Sequence, residues 1–340
     1  MRQIWITRTG GPEVLEVREA PDPEVRAGTV RIRVGAAGVN FADVMARLGI
    51  YPDAPPLPAV VGYEVSGTVE AVGAGVTRFA GGERVFAACQ FGGYSDVVVL
   101  PEAQVYALPA GLSLEQGAAI PVNYLTAYQM LIAMGSLAAG DRVLVHSAAG
   151  GVGLAAVDLC AIAGAEVIGT ASAGKHAALR ERGVAHTIDY RTEDFESAVR
   201  RITSGRGVEI VLDPIGGASW AKGLRCLAPT GRLVVFGFSA AASGKVASWW
   251  SGLKSILSVP WLKFNPFTLM NENRAIVGVN LGHMWSEQDR LARWMTRILA
   301  WCVEGKVRPT VDRTFRFAEA AQAHHHLQDR KNFGKVVLVP

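Results

Sequence analysis

The pattern of hydrophobic and polar positions changes near residue 122 of this chain. Before that point, short apolar runs such as Val14–Arg18, Val30–Val34 and Gly67–Val72 are separated by glycine and proline turns. Such punctuation is typical of an all-β, barrel-like domain. After it, short continuous apolar runs alternate with helical segments, as in a parallel sheet that is covered on both faces. The pattern therefore predicts two domains of different architecture.

Six continuous apolar runs lie where the strands of a doubly wound α/β sheet are expected. They are Arg142–His146, Glu166–Thr170, Thr187–Asp189, Ile210–Asp213, Arg232–Gly237 and Ala275–Val279. A last apolar run, Lys335–Val339, is predicted to be a strand that returns to the first domain.

A glycine-rich turn follows the first of these six runs and leads into a helix of small residues. Gly150, Gly151 and Gly153 have no Cβ, so the backbone can turn tightly and approach a phosphate closely. The N–H groups and the dipole at the start of the following helix favour negative charge. Alanine stands where the first glycine of G-x-G-x-x-G would be. The loop alone therefore leaves a dinucleotide site and a structural turn equally open.

Composition narrows the class of protein. Half of the 340 residues are hydrophobic, and the formal net charge of +4 is too small and too dispersed to indicate a nucleic-acid partner. The four cysteines lie far apart without a C-x-x-C pair, which favours free thiols in a reducing compartment. Because the chain shows neither a signal peptide nor an apolar run of membrane-spanning length, we expect a cytoplasmic protein.

Several blocks, in order along the whole chain, resemble the medium-chain dehydrogenase/reductase superfamily in its zinc-free, quinone oxidoreductase-like branch. Besides the glycine loop, the blocks are Gly10–Leu15, Gly38–Asp43, Gly49–Pro52, Pro58–Gly67, Asn123–Tyr128 and Gly334–Leu338. Val122–Tyr128 and a tryptophan-rich insertion near residue 249 are similar, more narrowly, to the branch containing vesicle-membrane amine-transport-like proteins.

The resemblance implies an α/β fold with two domains. A GroES-like β-barrel catalytic domain would comprise residues 1–122, completed by 286–340. A Rossmann domain with a doubly wound parallel sheet would comprise residues 123–285, with an insertion at 244–270. The resemblance also implies a homodimer formed through the last Rossmann strand, residues 275–279.

The residue types argue against a metal. A catalytic zinc needs about three cysteine, histidine or carboxylate ligands. Zinc-binding relatives have a cysteine where this chain has Asn40 and a histidine where it has Tyr63. The triplet His324–His326 falls in a predicted surface helix near the C-terminus. We therefore expect a metal-free site without zinc.

The cofactor is predicted from the end of the second Rossmann strand. An NAD enzyme places a carboxylate there to accept from the ribose 2′-hydroxyl, but the segment Thr170–Lys175 has no acid. Ser172 and Lys175 can bind a 2′-phosphate, and Tyr190 lies where relatives supply a third contact. NADPH is therefore expected over NADH, unless Lys175 is simply a solvated residue at a helix start. The resemblance implies further cofactor contacts at Asn40, Thr126, Ala149, Gly150, Gly151, Val152, Phe236, Gly237, Phe238 and Asn332.

Without zinc, alcohol oxidation is disfavoured, and hydride delivery from NADPH to an activated C=C bond or to a quinone remains. Tyr51 matches a tyrosine that enoyl-thioester reductases of this superfamily use as proton donor or orienter, a task that suits a neutral hydroxyl. Asn40 is the expected partner of the substrate carbonyl or the nicotinamide carboxamide. Tyr63, which stands where the zinc enzymes have a metal ligand, is the third candidate for a catalytic residue. For each, an ordinary loop or core role is the alternative.

The insertion at 244–270 is the departure from the family pattern that we expect to affect substrate choice most, and three interpretations of it stay open. It could be an apolar lid over a small apolar substrate, a dimer contact, or a membrane-surface helix. Under a lid, Lys245, Lys254 and Lys263 could meet the phosphates of a coenzyme A thioester. The expected function is an NADPH-dependent reductase of enones, enoyl-CoA thioesters or quinones. The alternative is a non-catalytic, NADPH-binding protein that interacts with lipid or membrane.

Overall fold

The structure is a computed structural model that describes residues 1–242 and 265–340. These residues form two compact units. The β-rich unit comprises Met1–Leu125 and Gly282–Pro340, and the parallel-sheet unit comprises the described residues from Thr126 to Leu281. Most of the predicted insertion, with the lysines at 245, 254 and 263, lies outside the described residues.

The described part of the chain contains strands in both units. In chain order they are β1 (Arg2–Ile6), β2 (Leu15–Glu19), β3 (Thr29–Val39), β4 (Glu64–Val72), β5 (Arg84–Ala88), β6 (Val97–Pro101), β7 (Val105–Ala107), β8 (Arg142–Val145), β9 (Glu166–Ala171), β10 (His186–Asp189), β11 (Val208–Asp213), β12 (Leu227–Val235), β13 (Ala275–Gly278), β14 (Val311–Arg316) and β15 (Lys335–Val339).

The α-helices are mostly short, and the two longest begin at Gly151 and Gln288. In chain order they are α1 (Phe41–Arg47), α2 (Leu114–Gly117), α3 (Pro121–Tyr128), α4 (Gly151–Ala163), α5 (His176–Glu181), α6 (Phe195–Ile202), α7 (Ala218–Arg225), α8 (Pro266–Glu272), α9 (Gln288–Val303) and α10 (Ala320–Gln328). No helix in residues 1–242 or 265–340 is long and apolar enough to cross a lipid bilayer.

The β-rich unit is organised around β3, which pairs antiparallel with β4, β6 and β15. In the first half of β3, buried and more exposed residues alternate, and Val30, Ile32 and Val34 lie in the core. β4 can pass close to β3 because Gly67 has no side chain, and a Cβ there would lie 2.1 Å from the carbonyl oxygen of Arg33. This central strand brings the start of β4 and the start of β15 together near residue 40.

The parallel-sheet unit contains six strands in the order β10-β9-β8-β11-β12-β13, all parallel. The prediction of a doubly wound sheet is confirmed, since the strand order runs outward from β8 in both directions. Every residue of β11 is buried, as its continuous apolar run indicates. The strand predicted at Arg232–Gly237 has different bounds in the structure, where β12 begins at Leu227 and ends at Val235. The turn-forming residues Pro229 and Gly231 concealed its first half, in which only Leu227 pairs with β11, opposite Val208, before the register shifts to Arg232.

A buried ion pair joins the C-terminal strand to the middle of the β-rich unit. The Lys335 ammonium contacts Glu64 Oε1 and donates to Asn40 Oδ1 at 2.6 Å. The side chains of Lys335 and Glu64 are 3% and 0% exposed. Glu64 Oε2 also accepts from the backbone N–H of Val122 at 2.8 Å. One carboxylate therefore ties together the ends of β3, β4, β15 and the start of α3.

A second buried network connects α1 to α10. The Asp43 carboxylate accepts from the backbone N–H groups of Asn40 (2.7 Å) and Gly62 (3.1 Å) and from the Tyr94 hydroxyl (3.1 Å). Tyr94 also lies 3.1 Å from His324 Nε2. Burial raises the pKa of Asp43 to about 7 and lowers the pKa of His324 to about 3. His324 was wrongly expected on a helix surface, because the apolar side of α10 carries it into the core.

We expect Lys335→Met to lower the free energy of unfolding by about 3–5 kcal/mol, because the Glu64 carboxylate is left buried and unpaired. Adding Glu64→Gln removes that charge, so the double variant should recover part of the loss. Urea unfolding followed by circular dichroism measures both. Lys306→Met, which breaks only an exposed pair with Glu304, is the control and should change stability by at most about 0.5 kcal/mol. Equal losses in the two single variants would contradict the prediction.

The pKa of His324 also predicts how stability depends on pH. The unfolded chain protonates this imidazole near its ordinary pKa of 6.5, whereas the folded protein resists protonation down to about 3. The stabilisation is therefore complete above pH 6.5 and is lost as the pH falls. Relative to His324→Asn, the wild type should lose about 2 kcal/mol between pH 6.5 and 5.

Asp43 acts in the opposite sense, since its raised pKa favours the folded state as the pH falls from 7 toward 3.8. That contribution is present in wild type and variant alike, so their difference isolates His324. Unfolding curves at several pH values measure the difference. His186→Asn, which removes an exposed histidine, should keep the wild-type slope. Parallel pH profiles for the wild type and His324→Asn would refute the assignment.

Candidate functional site

The glycine loop joins β8 to α4 in the parallel-sheet unit. Ser147 adopts a positive φ of 55°, and Gly150 precedes the first residue of α4 in an extended conformation. A Cβ on Gly153 would lie 2.5 Å from the Ser147 carbonyl oxygen and 2.6 Å from that of Ala148. The first turn of α4 therefore packs on the loop only with glycine at 153. Ala149, Gly150, Gly151 and Val152 are consecutive at the start of α4, so the predicted loop residues lie at one helix N-terminus, which is suited to a phosphate.

The end of β9 holds this loop in place. Thr170 accepts from the backbone N–H of Ser147 through Oγ1 (3.3 Å) and from that of Ala148 through its carbonyl oxygen (3.1 Å). Its hydroxyl also lies 3.1 Å from His146 Nδ1. Burial lowers the pKa of His146, which keeps this imidazole neutral beneath the loop. The loop is thus shaped by neighbouring strands as well as by its own glycines.

Ser172 and Tyr190 directly follow the ends of two neighbouring strands, β9 and β10. The register of β9 and β10 pairs Ala171 with Asp189, and the two candidates are the next residues along each strand. Lys175 lies one turn beyond Ser172, where its backbone N–H donates to the Ser172 carbonyl at 2.9 Å. The Arg191 guanidinium lies 5.9 Å from the centre of the Tyr190 ring. Sequence reasoning missed Arg191, although a cation directly after β10 was a usable signal.

The carboxyl ends of β11 and β12 form the next part of this edge. Asp213 accepts from the backbone N–H of Ile215 (2.6 Å) and Gly216 (3.1 Å), which fixes the turn after β11. Gly216 has a φ of +88°, and a Cβ there would collide with the ring of Phe238. Phe236 donates its backbone N–H to the Asp213 carbonyl at 3.2 Å. The predicted segment 236–238 therefore packs on the turn after β11.

Thr126 and Asn332 belong to different units. Thr126 lies in α3 and is 8% exposed, at the first residue of the parallel-sheet unit. Asn332 lies in the β-rich unit, where its side-chain amide donates to the Gly334 carbonyl at 2.8 Å.

The Asn40 amide has a defined orientation. Its Oδ1 accepts from Lys335, which assigns the opposite atom as nitrogen. That Nδ2 donates to Glu64 Oε1 at 3.0 Å and lies 3.5 Å from the Gly38 carbonyl oxygen. The second contact is at the limit of hydrogen bonding, so one N–H of this amide is only weakly satisfied by the protein. Lys335 was missed as a site residue, because nothing local marks a lysine that is buried by strand pairing.

Three aromatic rings pack together in the β-rich unit. Tyr51 packs edge-on against Tyr63 with ring centres 6.4 Å apart, and Phe91 lies 5.0 Å from Tyr63. Among the described residues, the buried Tyr63 hydroxyl has no partner in good hydrogen-bond geometry, and Tyr51 is the side chain with which it interacts. Burial raises the pKa of both tyrosines, so both hydroxyls keep their protons near neutral pH. An unpaired buried hydroxyl costs free energy, which is consistent with a ligand oxygen as its missing partner.

Phe91 was not predicted as a site residue. Its φ of +88° is unusual for a bulky side chain and marks local strain. Hydrogen bonds from Cys89 N to Tyr63 O (2.8 Å) and from Gly93 N to Gly62 O (3.1 Å) hold its loop against the segment that carries Tyr63. The strained backbone thus keeps the Phe91 ring on Tyr63.

The three consecutive histidines have separate partners. His324 lies beside Tyr94, His325 lies 2.8 Å from Glu13, and His326 lies 2.6 Å from Asp312. Within residues 1–242 and 265–340, no three histidine, cysteine or carboxylate side chains are grouped so that they could hold a metal ion.

The chain is similar to known dehydrogenase families and to several characterised proteins. Residues 26–110 match the family described as alcohol dehydrogenase GroES-like domain, and residues 182–338 match the family described as zinc-binding dehydrogenase. The human synaptic vesicle membrane protein VAT-1 homolog is 40% identical, over 100% of this chain and 86% of that protein. A quinone oxidoreductase of Pseudomonas aeruginosa is 36% identical, over 100% of this chain and 99% of its own length.

A solved structure is similar over its whole length. The crystal structure of Escherichia coli quinone oxidoreductase complexed with NADPH superposes with a TM-score of 0.86 at 30% identity, covering 100% of both chains. The GroES-like and Rossmann architecture expected from the sequence is thereby confirmed.

Proposed function

The chain belongs to the medium-chain dehydrogenase/reductase superfamily, and on that premise we propose that it is an NADPH-dependent, metal-free reductase of activated C=C bonds or quinones. The acceptor would be a small apolar α,β-unsaturated carbonyl compound, an enoyl-CoA thioester or a quinone. The observation that carries the proposal is the packed pair of protonated tyrosines, Tyr51 and Tyr63, in the unit that also holds the Asn40 amide. Hydroxyl and amide donors suit an oxygen that gains negative charge during reduction.

NADPH is proposed from the cations at the carboxyl edge of β9 and β10. Ser172, Lys175, Tyr190 and Arg191 follow two adjacent strands there. A 2′-phosphate is dianionic, and hydrogen bonds from charged donors to such a group are stronger than neutral ones. The pyrophosphate would lie at the N-terminus of α4, and Thr126, Phe236–Phe238 and Asn332 are proposed as further contacts. The similar quinone oxidoreductase of Escherichia coli was crystallised with NADPH.

Lys175→Ala should weaken binding of NADPH by roughly 10- to 100-fold, because one charged hydrogen bond contributes about 1.5–3 kcal/mol. Binding of NADH, which has no 2′-phosphate, should change little. Fluorescence titration with both nucleotides measures the ratio of the two affinities. Lys222→Ala removes another exposed lysine of the same unit, one that is paired with Asp194, and serves as the control. An unchanged ratio in Lys175→Ala would show that this lysine does not select the cofactor.

The site residues do not fit a zinc ion, although one matched family is described as zinc-binding. Asn40 Oδ1 and Glu64 Oε1 already bind the Lys335 ammonium, so a cation already occupies the nearest oxygen ligands. Cys89 donates to the Gly62 carbonyl, and burial raises the pKa of its thiol, which opposes the thiolate that zinc requires. No step is therefore assigned to a metal.

The proposed reaction divides between cofactor and protein. Bound NADPH supplies a hydride to the β-carbon of the acceptor. The Tyr63 hydroxyl and the Asn40 Nδ2–H donate to the carbonyl oxygen as negative charge develops there. Tyr51 donates its proton to the α-carbon, which completes the reduction. Tyr51 and Tyr63 are suited to these tasks because burial keeps both neutral.

We expect Tyr51→Phe to lower kcat by about 100-fold or more, with little change in the affinity for NADPH, because only the proton donor is removed. Loss of reduced-nicotinamide absorbance, measured with quinones, enones and straight and branched enoyl-CoAs, tests the function and ranks the acceptors. Tyr128→Phe is the matched control, since it removes a buried tyrosine hydroxyl outside the proposed donors. Full turnover by Tyr51→Phe would exclude it as the acid.

A non-catalytic role at a lipid or membrane surface is the second candidate. Phe267 and Met270, one helical turn apart on α8, are 73% and 66% exposed. They follow directly after the part of the chain that is not described. The 40% identical human relative is named as a vesicle membrane protein. Tight NADPH binding without turnover of any acceptor, together with co-sedimentation with liposomes, would favour this role.

A homodimer is proposed through β13. This strand is the last of the six-stranded sheet and is paired only with β12 among the described strands. Its exposed Ala275 and Gly278 carry no charge that would discourage pairing of two such edges. Analytical ultracentrifugation measures the mass, and a monomer at micromolar concentration would refute the proposal.

A further inference from the structure

A tight turn places a carboxylate next to the proposed proton donor. The Ala54 N–H donates to the Tyr51 carbonyl oxygen at 3.1 Å and closes a four-residue turn with Pro52 and Asp53 at its centre. Proline sets φ for the first central position of such a turn, and aspartate is common in turns. Within this turn, the Asp53 carboxylate is close enough to accept a hydrogen bond from the Tyr51 side chain.

The Tyr51 hydroxyl lies in a setting that retains its proton. Burial is the main reason that the pKa of Tyr51 is raised. A hydrogen bond with Tyr63 lowers this pKa, whereas the negative charge of Asp53 and a hydrogen bond from Tyr51 to Asp53 raise it. Once Tyr51 has given up its proton, the phenolate would face this carboxylate. Two adjacent negative charges repel, so the site favours rapid return of a proton to Tyr51.

Asp53 connects this position to solvent through a histidine that is distant in sequence. His283 Nε2 lies 2.9 Å from Asp53 Oδ2, and both residues belong to the β-rich unit. The His283 side chain is 65% exposed, whereas that of Asp53 is 34% exposed. Tyr51, Asp53 and His283 thus form a series that runs from a half-buried hydroxyl to an imidazole in water.

We propose that Asp53 and His283 return a proton from solvent to Tyr51 after each catalytic cycle, an inference that rests on the proposed reductase function. After Tyr51 has protonated the α-carbon, protonated His283 passes its Nε2 proton to the Asp53 carboxylate. The resulting carboxyl group protonates the Tyr51 phenolate, and His283 takes a new proton from water. Each turnover consumes one hydride from NADPH and one proton from solvent, so atoms and charge balance.

The test compares two histidines that each contact a carboxylate in the same unit. His283→Gln removes the proton carrier at an exposed position, and His325→Gln removes the histidine beside Glu13 as the control. We expect His283→Gln to lower kcat about 10-fold in weakly buffered solution, with KM and the affinity for NADPH unchanged. Added imidazole should restore kcat, and the solvent deuterium isotope effect on kcat should increase. His325→Gln should behave as the wild type does.

The Asp53→Asn variant provides a second measurement, because an amide cannot carry the proton between the two groups. It should lower kcat at least as much as His283→Gln, and imidazole should not restore it. Circular dichroism of both variants establishes that they are folded.

The outcomes separate this inference from the proposed function. An unchanged kcat in His283→Gln, a change in KM alone, or a lowered kcat that imidazole does not restore would each overturn the relay while leaving the reductase intact. The last result would mean that His283 only holds the turn in place. Failure of the wild-type protein to reduce any acceptor would overturn the proposed function, and the relay with it.

Discussion

The buried contact between Lys335 and Glu64 is the constraint on which the β-rich unit depends. An ammonium and a carboxylate that are almost fully removed from water must satisfy one another, because either alone would cost several kcal/mol. Their geometry holds the C-terminal strand beside the ends of β3 and β4. It also sets the orientation of the Asn40 amide, since an ammonium can contact only the oxygen. A contact that stabilises the fold therefore also determines which atom of Asn40 can donate.

The two units contribute different chemistry for different physical reasons. In the parallel-sheet unit, strands that end at one edge bring backbone N–H groups, a helix N-terminus and cations together, which suits an anionic cofactor. In the β-rich unit, aromatic packing removes tyrosine hydroxyls from water and keeps them protonated. Phe91 packs there with a strained backbone, since its φ is positive.

Sequence patterns predicted correctly those features that depend on interactions between residues close together in the chain. Continuous apolar runs located the six parallel strands, and the glycine loop located the turn before α4, because burial and missing Cβ atoms act within a few residues. Predictions were poorer where long-range pairing decides. β12 begins five residues before its predicted start because Leu227 pairs with Val208 of β11, ahead of an irregularity that contains Pro229 and Gly231. Of the three consecutive histidines, His324 alone is fully buried, because it packs beside Tyr94 in the core, a contact 230 residues apart in sequence.

The sequence by itself determined the family, the two architectures and the segments that carry glycine, tyrosine and lysine candidates. Whether each candidate acts as proposed remains a prediction. Only the tertiary structure decided that Lys335 contacts Asn40, that Phe91 packs against Tyr63, and that Asp53 lies beside His283. These pairs are separated by 28 to 295 residues along the chain. Their interaction energies depend on distances that no local pattern encodes, so they exist only once the strands have paired.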